Sequence, residues 1–168
     1  SVLEGAGCVV DALFGIGLSR PIEGMEATVI EHINRKAIPV VAVDMPSGIH
    51  GDRGTLLGCA LKATITVTFC RKKPGHVLLP GRLYAGEVVV EPIGIPEIVL
   101  SGIDCTIEEN NPSSWLRAFP FPTPEQHKYS RGHVVVRGGG IEKTGAASMA
   151  ARAALRAGAG LVTIACPE

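Results

Sequence analysis

Aromatic side chains are scarce in this sequence. Phe, Trp and Tyr make up 4% of its 168 residues, with a single tryptophan, while hydrophobic residues overall reach 46%. A core built from such material is aliphatic, which suits buried parallel strands rich in Val, Ile and Leu. Net charge is missing as well, because sixteen basic and sixteen acidic residues cancel. No overall field therefore draws nucleic acid or an anionic membrane surface, and neither is expected as a partner. Long apolar runs are absent. Those present are cut by Asp11 or by Arg152 and Arg156, well short of the ~20 residues that a spanning helix needs. No basic segment followed by an apolar core opens the chain, so no signal peptide is expected. The five cysteines, Cys8, Cys59, Cys70, Cys105 and Cys166, include no CxxC pair. A scattered, odd set favours reduced thiols in a cytoplasmic setting over a disulfide framework or a zinc site. Cover is lacking too: a buried-type strand follows closely on Ser1 and another ends just before Glu168. Parallel sheets need both faces covered, so the chain is expected to be an interior portion of a longer protein.

What is present alternates between strands and helices. Cys8 to Leu13 reads as a buried strand, followed by a glycine-containing loop from Gly15 to Pro21. Glu23 to Lys36 reads as an amphipathic helix, with Ala27, Ile30 and Ile33 on one side and charges between them. Pro39 stops it, and Val40 to Val43 is the next strand, completing a βαβ unit. Leu61 to Phe69 alternates, with Ala63, Ile65, Val67 and Phe69 facing one way and Thr64, Thr66 and Thr68 the other. That pattern predicts a half-exposed strand near a sheet edge. Arg71 to His76 is a basic turn, and Glu87 to Ile95 a strand demoted to an edge by Pro92. Periodicity fades from Pro96 to Gln126, where Asn110-Asn111-Pro112, Trp115 and the spaced Pro120, Pro122 and Pro124 suggest a linker. The α/β pattern then restarts: strand His133 to Arg137, loop Gly138-Gly139-Gly140, an alanine-rich helix from Thr144 or Gly145 to about Ala157, and strand Leu161 to Ala165. This is a second βαβ unit.

Neither glycine cluster is a standard nucleotide fingerprint. Gly15-Ile16-Gly17-Leu18-Ser19-Arg20 starts as G-x-G-x-x-G, but Arg20 stands where the third glycine is needed. Gly138 to Thr144 lacks the glycine before the lysine that a P-loop requires. Each loop could present free N–H groups to an anion at a helix N-terminus, or be a tight turn and nothing more. Asp11 and Asp44 close their strands, and either alone could simply cap a local turn. Together, with Ser47 and Gly48 beside Asp44, they offer hard oxygen ligands for a cation and a proton acceptor. His50 and His76 read as surface turn residues, Arg71-Lys72-Lys73 as a solvated turn. Lys128 and His127, just ahead of the second unit, could reach an anion but need not.

The ordered succession of motifs carries a resemblance. Val10-Asp11-Ala12-Leu13-Phe14-Gly15, Val43-Asp44-Met45-Pro46-Ser47-Gly48, Lys73-Pro74-Gly75-His76, Tyr84-Ala85-Gly86-Glu87-Val88 and Ile93-Gly94-Ile95-Pro96 resemble the second half of the NAD(P)H-hydrate epimerase domain, the YjeF N-terminal family. His127 to His133, Gly138-Gly139, Thr144-Gly145-Ala146-Ala147 and Ala154 to Val162 are similar to the opening of the NAD(P)H-hydrate dehydratase domain, although Tyr129 stands where that family often has glycine. The implied fold class is α/β: the second half of a Rossmann-like three-layer domain over residues 1–98, a linker over 99–126, and the first βαβ unit of a ribokinase-like domain over 127–168.

The resemblance also implies chemistry. The epimerase interconverts the R and S forms of NADH or NADPH hydrated at C6 of the nicotinamide ring (NADHX and NADPHX), and the dehydratase removes water from the S form at the expense of ADP or ATP. Carried over by motif, Asp11 and Ser47 would help ligate a potassium ion, and Gly15, Ile16, Gly17, Leu18, Ser19, Arg20 and Pro21 would line the hydrate site. Asp44 would contact the substrate and do the acid–base work. Gly145, Ala146 and Ala147 would contact the hydrate in the dehydratase part. A homo-oligomer is expected. The family's phosphate loop and asparagine, its adenine-nucleotide site and its dehydratase aspartate come from parts of the domains not matched here, so this segment alone is expected to catalyse neither reaction. Two other readings stand beside this one: a non-catalytic nucleotide-binding or interaction module, and a ribokinase-like small-molecule kinase.

Overall fold

Four parallel strands form the sheet that positions everything in the first part of the chain. In the computed structural model, which describes residues 3–167, they are β1 (Val9–Asp11), β2 (Val40–Val43), β3 (Ile65–Phe69) and β4 (Glu87–Glu91), in that spatial order. Helix α1 (Gly24–Lys36) joins β1 to β2, and the short helices α2 (Pro74–Val77) and α3 (Arg82–Ala85) lie between β3 and β4. A further short helix, α4 (Ile98–Ser101), follows β4. The periodicity of α1 is realised as expected. Ile30 and Ile33 are buried, Ala27 packs beside them, and their partners are Val40, Ala42, Leu61 and Ala63. Its last turn carries Arg35 and Lys36 at the negative end of the helix dipole. Ala37 closes the helix in the left-handed region, and Pro39 precedes β2.

Strand β3 begins at Ile65, later than the expected Leu61, and lies between β2 and the edge strand β4, near the sheet edge as expected. Its buried face is the threonine face: Thr66 and Thr68 are fully buried, while Ile65, Val67 and Phe69 are only partly so. A hydroxyl tolerates burial when it finds a partner, and both do. Thr66 Oγ1 donates to the Ala85 carbonyl at 2.6 Å, and Thr68 Oγ1 to Asp44 Oδ1 at 2.8 Å. Alternation identified the two faces; the neighbouring loops decided which one turned inward. The last strand of this sheet, β4, lies at an edge as expected but ends at Glu91, ahead of Pro92.

The chain divides into two units, Ser1–Glu109 and Asn110–Glu168. In the second, α5 (Pro112–Trp115) and a 3-10 turn at Leu116–Ala118 occupy part of the segment expected to be featureless linker. Asn111 caps α5 through its side chain, and the Trp115, Phe119 and Phe121 rings follow one another at 6.0 and 5.0 Å. Beyond it, β5 (His133–Arg137), α6 (Thr144–Arg156) and β6 (Leu161–Ala165) form a parallel βαβ unit. Ala147 and Ala151 form the buried stripe of α6, so the helix can lie close on its two strands. Gly160 is obligatory, since a Cβ there would sit 1.6 Å from the Lys128 carbonyl oxygen. No helix among the described residues is long and apolar enough to cross a membrane.

The buried threonine face gives a direct test. Replacing Thr66 by Val keeps the shape and strands the Ala85 carbonyl without its side-chain donor, which should cost about 1–3 kcal/mol. Urea denaturation followed by circular dichroism measures it. A neutral or stabilising result would show that the hydroxyl is not needed on that face.

Candidate active site

The carboxyl ends of β1 and β2 lie side by side, because the parallel register sets Asp11 opposite Ala42, two residues before Asp44. In open α/β sheets this is the end where ligands bind. Each strand delivers one carboxylate there, and each carboxylate organises its own set of partners.

Asp11 is 1% exposed, and so is Ser47. The Ser47 backbone N–H donates to Asp11 Oδ2 at 2.8 Å, and the Ser47 hydroxyl to Oδ1 at 2.6 Å. The same hydroxyl accepts from the Phe14 N–H at 2.9 Å and lies 3.2 Å from the Phe14 carbonyl oxygen. The turn that brings Ser47 here depends on Gly48, which has φ +98 and whose Cβ would fall 1.9 Å from the Cys59 carbonyl oxygen. Among the described residues no basic side chain forms an ion pair with Asp11. Its buried carboxyl group is met by neutral donors only: the Ser47 amide and hydroxyl and, at 3.4 Å, the Leu13 N–H. Carboxylate, hydroxyl and carbonyl oxygens are hard donors suited to an alkali or alkaline-earth cation. No three His, Cys, Asp or Glu side chains among the described residues come together as a metal cluster.

Asp44 is the more active-looking group. It holds φ +65 at the end of β2, a region that aspartate tolerates better than most residues. Its Oδ1 accepts from the Lys73 ammonium in a short ion pair, from Thr68 Oγ1 at 2.8 Å and from the Phe69 N–H at 3.3 Å. Lys73 is steadied in turn by Thr68 Oγ1 at 2.9 Å and the Phe69 carbonyl at 3.1 Å. Every described hydrogen bond to the Asp44 carboxylate ends on Oδ1, and none ends on Oδ2. Burial pushes the Asp44 pKa up, but the Lys73, Thr68 and Phe69 hydrogen bonds and the Lys73 charge outweigh it and hold the group below its ordinary value. The carboxyl group is therefore ionised at neutral pH.

Sequence reasoning missed Lys73 and His76, treating both as exposed turn residues. Arg71 and Lys72 do match that description, with side chains 50% and 38% exposed and partners Glu97 and Glu109 on the surface. Such pairs add little. Lys73 is 21% exposed and turned inward to Asp44. His76 is 2% exposed; its Nδ1 accepts from the Lys73 N–H at 3.0 Å and its Nε2 lies 2.8 Å from the Asp44 carbonyl oxygen. Burial lowers the His76 pKa, only partly countered by its bond to that carbonyl, so the ring is neutral. The usable signal was the order Lys-Pro-Gly-His: Pro at the first position of a helix, with a side chain three residues past the cap able to bond back to it.

The expected substrate loop lines an open groove of about 350 Å³ formed by Leu13, Phe14, Gly15, Gly17, Leu18, Ser19 and Arg20. Ile16 and Pro21 are not part of its wall. In the second unit, Gly145 and Ala146 are exposed at the start of α6, whereas Ala147 is buried and its methyl would touch a Cβ placed on Gly138.

The chain is similar in sequence to known proteins. Residues 1–75 match the family described as YjeF-related protein N-terminus. The bifunctional NAD(P)H-hydrate repair enzyme Nnr of Thermofilum pendens is 40% identical over 154 residues, 90% of this chain and 28% of that protein. The Nnr enzyme of Moorella thermoacetica is 42% identical over 167 residues, 97% of this chain and 31% of its own length. The NAD(P)H-hydrate epimerase of Limosilactobacillus fermentum is 51% identical over 90 residues, 54% of this chain and 43% of that protein. The chain is a homologue of NAD(P)H-hydrate repair enzymes. It spans under a third of the length of the two bifunctional relatives.

The lowered pKa of Asp44 has a sign that can be checked. A depressed carboxyl contributes stability that is complete above its unfolded pKa of about 3.9 and is lost as pH falls through the lower folded value. Urea denaturation at a series of pH values between about 6 and 2 should show the wild type losing stability through that window more steeply than Asp44→Asn. Equal slopes would mean that the ion pair contributes nothing to folding.

Proposed function

We propose that residues 1–98 form the second half of an NAD(P)H-hydrate epimerase domain and residues 127–168 the start of a dehydratase domain of ribokinase-like fold. The observation that carries the first part is the Asp44–Lys73 pair, an ionised carboxylate with one oxygen held and the other open. It stands at the ligand-binding end of the sheet. Interconverting two epimers requires a bond at one carbon to break and re-form on the opposite face, with a proton moved each way. Asp44 enters ionised, so it accepts the proton first through Oδ2 and returns it afterwards. Lys73 keeps Oδ1 occupied and lowers the cost of the charge. Gly15, Gly17, Leu18, Ser19 and Arg20 supply the substrate's wall from the loop after β1.

The buried Asp11 carboxylate, with the Ser47 hydroxyl and no basic partner among the described residues, fits a monovalent cation, and these two residues would hold potassium. When bound, the ion supplies positive charge beside the substrate. In the second unit, Gly145, Ala146 and Ala147 would contact the hydrate during dehydration of the S form. The ADP or ATP used in that step is assigned no residue of this chain. The corresponding picture of the whole protein is a cytoplasmic homo-oligomer acting on hydrated NADH or NADPH.

The test uses the complete natural protein and a mixture of the R and S hydrates separated by liquid chromatography. Asp44→Asn should slow epimer equilibration by on the order of 10²–10⁴-fold with circular dichroism unchanged. Unchanged equilibration would remove Asp44 from the chemistry and favour a non-catalytic binding module. Asp11→Asn and Ser47→Ala should raise the potassium concentration needed for half-maximal rate, and an unaltered potassium dependence would refute the cation assignment.

A further inference from the structure

His76 is the only buried histidine among the described residues, and its two ring nitrogens contact the backbones of two residues whose side chains are themselves joined. Nδ1 accepts the Lys73 N–H at 3.0 Å, so the ring proton resides on Nε2 and is donated to the Asp44 carbonyl at 2.8 Å. Asp44 and Lys73 are thus linked twice, once through the Oδ1–Nζ ion pair and once through the imidazole. The ring has little freedom to leave. Gly75 just before it is pressed against the His50 and Gly51 carbonyls, where a Cβ would sit at 2.6 and 2.8 Å, and its N–H donates to the Gly51 carbonyl. Asp44 also needs holding, because a non-glycine residue at φ +65 persists only where its surroundings impose it. Its N–H donates to the Val67 carbonyl at 2.7 Å, and His76 secures the other side of the residue.

We propose that His76 is a positioning residue for the epimerase chemistry: by bonding the Asp44 carbonyl and the Lys73 amide at once, it sets the register in which Lys73 occupies Oδ1 and leaves Oδ2 of Asp44 open. The proposal rests on the reading of Asp44 as the proton acceptor. Its two bonds serve different ends. The bond to Lys73 caps α2, which is local structure. The bond to Asp44 fixes the reacting carboxylate, where a small displacement costs rate.

Two amide variants separate these bonds in the complete protein. In His76→Asn the side-chain oxygen falls near the Nδ1 position, retaining the Lys73 cap and dropping Asp44. In His76→Gln the longer amide reaches the Asp44 carbonyl with its N–H and drops the cap. Epimerisation kcat and KM are measured with thermal unfolding for both. The expected result is a kcat at least about tenfold lower for His76→Asn than for His76→Gln, with KM within about twofold, since only the transition state feels the carboxylate's placement. Equal kcat losses that follow the loss of stability would overturn the proposal, and so would greater activity in the asparagine variant. The 15N spectrum of the wild-type ring is an arm independent of turnover and of variant folding. A protonated Nε2 and bare Nδ1 support the proposal, and the opposite tautomer overturns it. Absence of epimerisation by the wild type, with the expected tautomer present, would instead refute the functional reading on which the proposal rests.

Discussion

Two carboxylates must be accommodated at adjoining strand ends, and much of the first unit is arranged to answer them. Parallel register brings Asp11 and Asp44 to the same end of β1 and β2, where Asp11 is buried and Asp44 partly so. The protein meets the two charges differently. Asp11 receives only neutral donors, chiefly the amide and hydroxyl of Ser47. Asp44 receives a full countercharge from Lys73 together with Thr68 and the Phe69 amide. A charge met by dipoles keeps an appetite for a cation. One met by an ammonium is kept ionised and immobile. The two strand ends thus offer complementary chemistry from the same residue type.

These arrangements draw on places that look ordinary in isolation. The inward threonine face of β3 supplies Thr68 to both members of the ion pair. The turn after β2 can deliver Ser47 to Asp11 because Gly48 admits a close approach to Cys59. The short helix α2 presents Lys73 at its cap and His76 from within, so four residues of chain provide both the countercharge and the strut. None of these would be placed correctly without the others, which is why single substitutions there are expected to affect geometry as well as contact.

Much of the scaffold was legible from pattern. The spacing of Ile30 and Ile33, the Pro39 stop, the apolar Val40 to Val43 run and the alanine-rich helix after Thr144 all became the elements expected of them. Period decides secondary structure when one face must be buried, and these segments have one clear face. The strand-end aspartates were legible for a related reason, as charges closing apolar runs. Lys73 and His76 were not. A lysine after arginine and lysine, and a histidine in a Pro-Gly turn, carry no periodic signature, and their burial depends on loops distant in sequence.

The amino-acid sequence by itself determined where the strands and main helices lie, that the sheet is aliphatic and parallel, and which carboxylates close its strands. Local sterics and hydrophobic period suffice for that. Only the tertiary structure decided that the threonine face of β3 turns inward, that Lys73 alone of the Arg71-Lys72-Lys73 run turns toward Asp44, and that a histidine joins it there. Those outcomes depend on whether a polar atom finds a partner across the fold, a condition set by hydrogen-bond geometry between segments that the linear order keeps apart.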